Sequence, residues 1–125
     1  LADVGGEAVE GMMIATPYIV APSVGGPEAQ QFAQSFQDAH GRPADTWAAL
    51  AYDAAVQIID AIDEVGADRT RIRDRFAQTT SLDTAFLGVT GATYFDENGD
   101  CLKPAYIAVV RDGQFVPAEK QLGTP

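Results

Sequence analysis

DTWAALAYDAAVQIIDAIDEVG, residues 45–66, decides the architecture of this 125-residue chain. Trp47, Leu50, Ala51, Ala54, Ile58, Ala61, Ile62 and Val65 recur at three- and four-residue spacing, the period of one helical face. Asp53, Gln57, Asp60 and Glu64 repeat the same way on the opposite side, which the period assigns to water. Pro43 restricts the residue before it, and Asp45 offers a carboxylate to the free N–H groups of a first turn. Gly66 suits the position just past a helix end. The stretch predicts one helix, buried along its apolar face. Trp47, Leu50, Ile58, Ile62 and Val65 then contribute about 1.5–3 kcal/mol each before entropy is subtracted. Alanines at 48, 49, 51, 54, 55 and 61 let a neighbour approach closely. On this reading Ile58→Asp abolishes folding by burying an unpaired carboxylate, and Asp60→Ala is nearly neutral.

Upstream of the long helix, Pro27 opens a second one that ends near Gly41, with Phe32, Phe36 and Ala39 as its stripe. Residues 18–26, which contain Pro22 and Gly25-Gly26, read as an extended connection. Met12 to Thr16 is a short apolar run stopped by Pro17 and suits a buried strand. Residues 1–11 read as a loop or short helical turn. Downstream, Asp68 caps a third helix reaching about Gln78, with Ile72 and Phe76 as an apolar pair. Arg69, Arg71, Arg73 and Arg75 crowd it, and their scatter around the axis reads as a solvated face paired with aspartates. From Thr79 to Gly91 the pattern lapses into a loop anchored by Phe86, Leu87 and Val89. Thr93 to Phe95 is a strand, and Asp96 to Asp100 a turn. Tyr106 to Val110 is a strand joined by Asp112-Gly113 to a return at Phe115-Val116, with Pro117 at its end and a loose tail to Pro125.

Composition bounds the rest. A hydrophobic fraction of 46% with 21% charged residues is that of a folded domain. Eight basic residues against 18 acidic ones leave a net charge of −10, which repels nucleic acid and anionic membrane surfaces. No run approaches the roughly 20 apolar residues that span a bilayer. The opening LADVGGEAVEG lacks an initiator Met and a signal-peptide pattern, as expected of a processed protein or a cut piece. The single Cys101 has no internal partner.

No catalytic constellation, metal set or cofactor motif emerges. The turn DENGD places Cys101 and Ile107 where an EF-hand loop needs Gly and Glu, so it reads as a hairpin turn. His40, the only histidine, sits at a helix end, where its charge is favourable. Serines 23, 35 and 81 lack a nucleophile elbow, and the paired glycines at 5–6 and 25–26 lack phosphate-loop spacing. Two aromatic residues are candidates for ligand binding. Tyr18 follows the opening strand, at the end where open α/β sheets collect ligands, and Trp47 stands in the first turn of the long helix.

EGMMIATPY, a helix ending HGRP, WAALAYDAAVQIIDAI, FLGVTGATYFDENGD and the hairpin AYIAVVRDGQFV follow one another in an order that is similar to one family. Over about Glu10 to Val116 the chain resembles the C-terminal part of the periplasmic substrate-binding proteins of branched-chain amino-acid ABC transporters. The most specific pieces are AYDA at 51–54 and the GVTG…FDENGD block at 88–100. The resemblance implies an α/β, two-lobed type I periplasmic-binding fold, of which this chain is a helix-rich fragment with a C-terminal β-hairpin. It implies crossovers near Thr16-Pro17 and Lys103-Pro104, with residues 18–103 in the N-terminal lobe and residues 1–17 and 104–125 in the C-terminal lobe. The family's main ligand contacts are implied to lie upstream of Leu1.

The function so implied is extracytoplasmic, periplasmic capture of a small amino acid, amide or similar solute, without chemistry, for delivery to an ABC permease. A ligand-sensing regulator or receptor domain of the same fold is the alternative. The expected partners are that solute and the permease, with no nucleic acid and no cofactor. The long helix presents more apolar surface than the remaining segments can cover, so the isolated chain is expected either to self-associate through that face or to be only marginally stable.

Overall fold

A computed structural model describes residues 2–19 and 26–122. Its elements run α1 (Ala2–Gly5), a 3-10 turn (Gly6–Val9), β1 (Met13–Thr16), α2 (Pro27–His40), α3 (Thr46–Val65) and α4 (Arg69–Phe76). A second 3-10 turn (Leu82–Thr84) leads to β2 (Phe86–Gly88), β3 (Gly91–Phe95), β4 (Cys101–Leu102), β5 (Tyr106–Arg111) and β6 (Gln114–Pro117). The caps fall where the residues demand them. Asp45 accepts from the Ala48 N–H at 2.8 Å, Asp68 accepts from the Arg71 N–H at 2.9 Å, and Gly66 takes a φ of +82°.

The strands form two antiparallel sheets. One has the order β1-β5-β6, with Met13 opposite Val109 and Val109 opposite Val116. Its hairpin turns through Asp112 and Gly113 at φ +51° and +73°, the type I′ geometry that Asp-Gly favours. The other sheet has the order β2-β3-β4, with Phe86 opposite Thr93 and Phe95 opposite Cys101. Asp96 closes the β3–β4 turn by accepting from the Asn98 and Asp100 N–H groups, so DENGD is a hairpin turn. Those donors, Asp100 first, hold its carboxyl below the usual carboxylate range.

Each sheet belongs to its own hydrophobic cluster. Tyr18, Ala29, Ala49 and Val89 form one, with Phe32 and Ala44 against it, so α2 and α3 pack beside the β2–β3 hairpin. Ile19 and Ala108 form the other with Ile14 and Tyr106. Residues 17–19 run from one cluster to the other, and residues 103–105 connect β4 of the second sheet to β5 of the first.

The faces of α3 differ from the periodic reading. Asp53 is buried with Ala49 and Ala61, while Trp47, Ile58, Ile59 and Ile62 are exposed, Ile58 by 47%. Both Asp53 oxygens are engaged: Oδ1 accepts from the Val89 N–H at 2.8 Å and Oδ2 from the Thr90 N–H at 2.9 Å and the Thr90 hydroxyl. The buried carboxylate thus caps the backbone of the β2–β3 turn. Nothing in the periodicity of α3 announces that service to a loop 36 residues away. An added carboxylate at Ile58 remains solvated within the described residues, so the all-or-none loss expected from Ile58→Asp does not follow from them.

Smaller differences have local causes. Residues 86–88 are a strand because Val89-Thr90 makes a tight turn back to Gly91. β1 is alternately exposed and covered rather than buried, with Met13 60% exposed. α4 ends at Phe76, two residues early, and its arginines pair with Glu64 (from Arg75) as well as Asp74 (from Arg73). The tail is held through Gln121, whose amide bonds the Ile107 N–H and C=O, both at 2.9 Å, and the Ala118 C=O at 2.7 Å. The middle of the predicted 18–26 connection, with Ser23, and the last three residues of the tail lie outside the described residues.

Candidate ligand cleft

Thr16, the last residue of β1, meets Thr46, the first of α3. Their hydroxyl oxygens are 3.1 Å apart, and Thr16 donates onward to the Tyr18 carbonyl at 3.0 Å. The Thr46 hydroxyl is therefore the donor to Thr16. This chain of hydroxyls ties the first sheet to the helix that packs on the second.

Around that tie opens a cleft of about 470 Å³. Ile14 and Phe115 border it from the first sheet, Pro43 to Trp47 from the start of α3, and Tyr18 and Ile19 from the crossing segment. Its lining is mainly apolar, and no Lys or Arg belongs to it. Its one carboxylate, Asp45, already caps α3 and lies 3.9 Å from Arg42. Among the described residues, no group of three or more His, Cys, Asp or Glu side chains is placed to hold a metal. Such a surface suits non-covalent capture of the apolar part of a small solute.

Both aromatic candidates border this cleft, in unlike states. Trp47 stands at its rim, 78% exposed. Tyr18 is 5% exposed, its ring edge-on to Phe32 with centroids 6.1 Å apart. Its buried hydroxyl has no hydrogen-bond partner among the described residues. Ile14, Thr16, Ile19, Thr46 and Phe115 were not candidates on sequence. They are ordinary residue types, made neighbours by the approach of the α3 N-terminus to the end of β1 and by the return of the β5–β6 hairpin beside β1.

Burial, and second the negative charge of Asp53, pushes the Tyr18 phenol up to about 12 from 10.0. The fold thus favours the neutral phenol: that contribution is complete below pH 10 and is lost as pH rises toward 12. A difference absorbance titration of the intact protein against Tyr18→Phe is expected to show ionisation near pH 12. Ionisation of the difference signal near pH 10 would contradict the buried placement.

The sequence profile described as periplasmic binding protein matches residues 1–114. The chain belongs to the periplasmic binding protein family. Among solved periplasmic binding proteins, the leucine-binding protein LivK of Thermotoga maritima is 32% identical, with a TM-score of 0.76 over 93% of this chain and 32% of its own. A Rhodospirillum rubrum protein assigned to branched-chain amino acid ABC transport is 32% identical, with a TM-score of 0.68 over 93% of this chain and 33% of its own. LivJ of Streptococcus pneumoniae, a branched-chain amino acid transporter substrate-binding protein solved with isoleucine, is 26% identical. Its TM-score is 0.71 over 87% of this chain and 29% of its own. The chain thus spans about a third of these relatives, as a fragment of the type I periplasmic-binding fold. No match was found among curated protein sequences.

Proposed function

We propose that the intact protein is an extracytoplasmic solute-binding protein. It captures a small amino acid or related solute between two lobes and delivers it to an ABC importer, without chemical turnover. Residues 18–103 belong to the N-terminal lobe, and 1–17 with 104–125 to the C-terminal lobe. The division of the strands into two sheets with separate clusters supports that assignment, although Ile19 packs with Ala108 across the proposed boundary. Relatives named for transport favour this role over a sensor of the same fold.

One observation carries the reading: a mainly apolar, cation-free cleft lies where the chain passes from one sheet to the other, with an exposed Trp47 at its edge. That wall receives the apolar side of the solute. Any ammonium and carboxylate of the solute are held by groups outside this chain's cleft lining. Calorimetric titration of the intact protein with leucine, isoleucine, acetamide and benzoate tests it. Saturable 1:1 binding of an amino acid at micromolar concentration is expected. Heats indistinguishable from dilution across the whole panel would contradict the reading.

A further inference from the structure

Two of the three residues that carry the chain from β4 to β5 are fastened to the β2–β3 hairpin. The Lys103 ammonium donates to the Thr93 hydroxyl, and Thr93 is buried in the middle strand of its sheet. The Pro104 ring lies against Gly91, where a Cβ would sit 3.1 Å from Pro104 Cγ. Phe86 pairs with Thr93 and lies two residues from Gly88, so Thr93 and Gly88 share one face of the sheet. Asp53 meets that face at Gly88. Lys103 and the buried carboxylate of α3 therefore approach the same side of the same hairpin. Among the described residues, no carboxylate pairs directly with Lys103. Burial pushes its ammonium below the usual lysine range, and the charge of Asp53 works against that. After Pro104 comes Ala105, which is exposed, and then Tyr106, held in β5 opposite Thr16.

A half-buried ammonium loses hydration, and a bonded hydroxyl and a facing carboxylate offset that loss only while the side chain stays in place. We propose that Lys103 is a positioning residue for solute capture: with Pro104 it clamps the crossing to the hairpin that Asp53 organises, and leaves Ala105 as the place where this crossing flexes. Lys103 touches no solute and acts through the placement of the two cleft walls. Releasing it multiplies the arrangements those walls adopt, of which a solute fits few, so apparent affinity falls with the fitting fraction. The proposal rests on the two-lobe reading above.

Hydrogen exchange and titration with leucine and isoleucine, both on the intact protein, test it. Lys103→Met keeps the apolar stem and removes the ammonium, and Thr93→Val removes the hydroxyl that receives it. In both variants the amides of residues 101–106 are expected to exchange about tenfold faster or more, with those of α3 within a few-fold of wild type. The double variant is expected to exchange no faster than either single one, since both changes break one contact. Thr93→Ser, which keeps the hydroxyl, is expected to behave as wild type. Whichever of the two amino acids wild type binds is expected to bind about fivefold more weakly, or worse, to Lys103→Met and Thr93→Val. Wild-type exchange over 101–106 in both variants would overturn the proposal. So would additive effects in the double variant, or acceleration spread equally over α3, which a merely destabilising change produces. Unchanged affinity with a freed segment would remove the positioning role and overturn it as well. If Lys103→Met does not fold, Thr93→Val and Thr93→Ser decide by the same comparison. A wild-type protein that binds no panel solute would fail the functional reading, and exchange over 101–106 would still decide the clamp.

Discussion

Asp53→Ala in the intact protein is expected to lower stability by about 3–5 kcal/mol, a large part of the 5–15 kcal/mol that holds a typical domain together. The change removes the acceptor for the Val89 and Thr90 N–H groups and for the Thr90 hydroxyl at a site 2% exposed, where water does not replace it. Each orphaned buried donor costs about 1–3 kcal/mol, and the vacated volume adds to that. Asp53→Asn is expected to fall between, since its oxygen satisfies one donor while its amide group faces another. Denaturant midpoints at neutral pH read the series. A loss under about 1 kcal/mol for alanine would show that the 88–91 turn is solvated and that Asp53 does not organise it.

Gly88→Ala is expected to be nearly as costly, at about 2–4 kcal/mol, for a reason that lies in the α3 side chain it faces. A Cβ at residue 88 would sit 2.4 Å from the carboxylate carbon of Asp53. Carboxylate and methyl cannot both stay, so the contact that holds Val89 and Thr90 is pushed away. The two losses share one cause and are therefore strongly non-additive. In an Asp53→Ala background, Gly88→Ala is expected to cost little, because the methyl enters the space the carboxylate left. Additive losses would mean that Gly88 acts through the β2–β3 strand geometry instead.

This pair of residues also shows where sequence reasoning runs short. The limits of the 45–66 helix were legible because caps are local: Asp45 and Gly66 act on backbone within a turn of themselves. The same holds for the Asp112-Gly113 hairpin, where positive φ at two adjacent residues selects the residue types. Which side of α3 is buried was not legible. Its small buried residues, Ala49 and Ala61, carry less apolar weight than Ile58 and Ile62, and Asp53 carries none. A polar residue buried to serve a distant backbone has no periodic signature. AYDA and GVTG are far apart in sequence, and the contact between Asp53 and the 89–90 backbone joins them physically. Gln121 escaped for the same reason, since a tail glutamine bonded to Ile107 resembles any exposed one. The places of Tyr18 and Trp47, beside a strand end and in a first helical turn, follow from the sequence, and both residues border the cleft. Thr16, Thr46 and Phe115 depend on tertiary return of the chain and were not legible.

The central claim is that the cleft at Trp47 is one wall of the solute site, and Trp47→Ala tests it most directly. Trp47 is 78% exposed, so its loss is expected to leave the melting temperature of the intact protein within a few degrees of wild type. Affinity for the amino acid bound by wild type is expected to fall about tenfold or more, the equivalent of roughly 1.4 kcal/mol of lost apolar contact. Unchanged affinity in a normally folded variant would place the solute elsewhere and contradict the account.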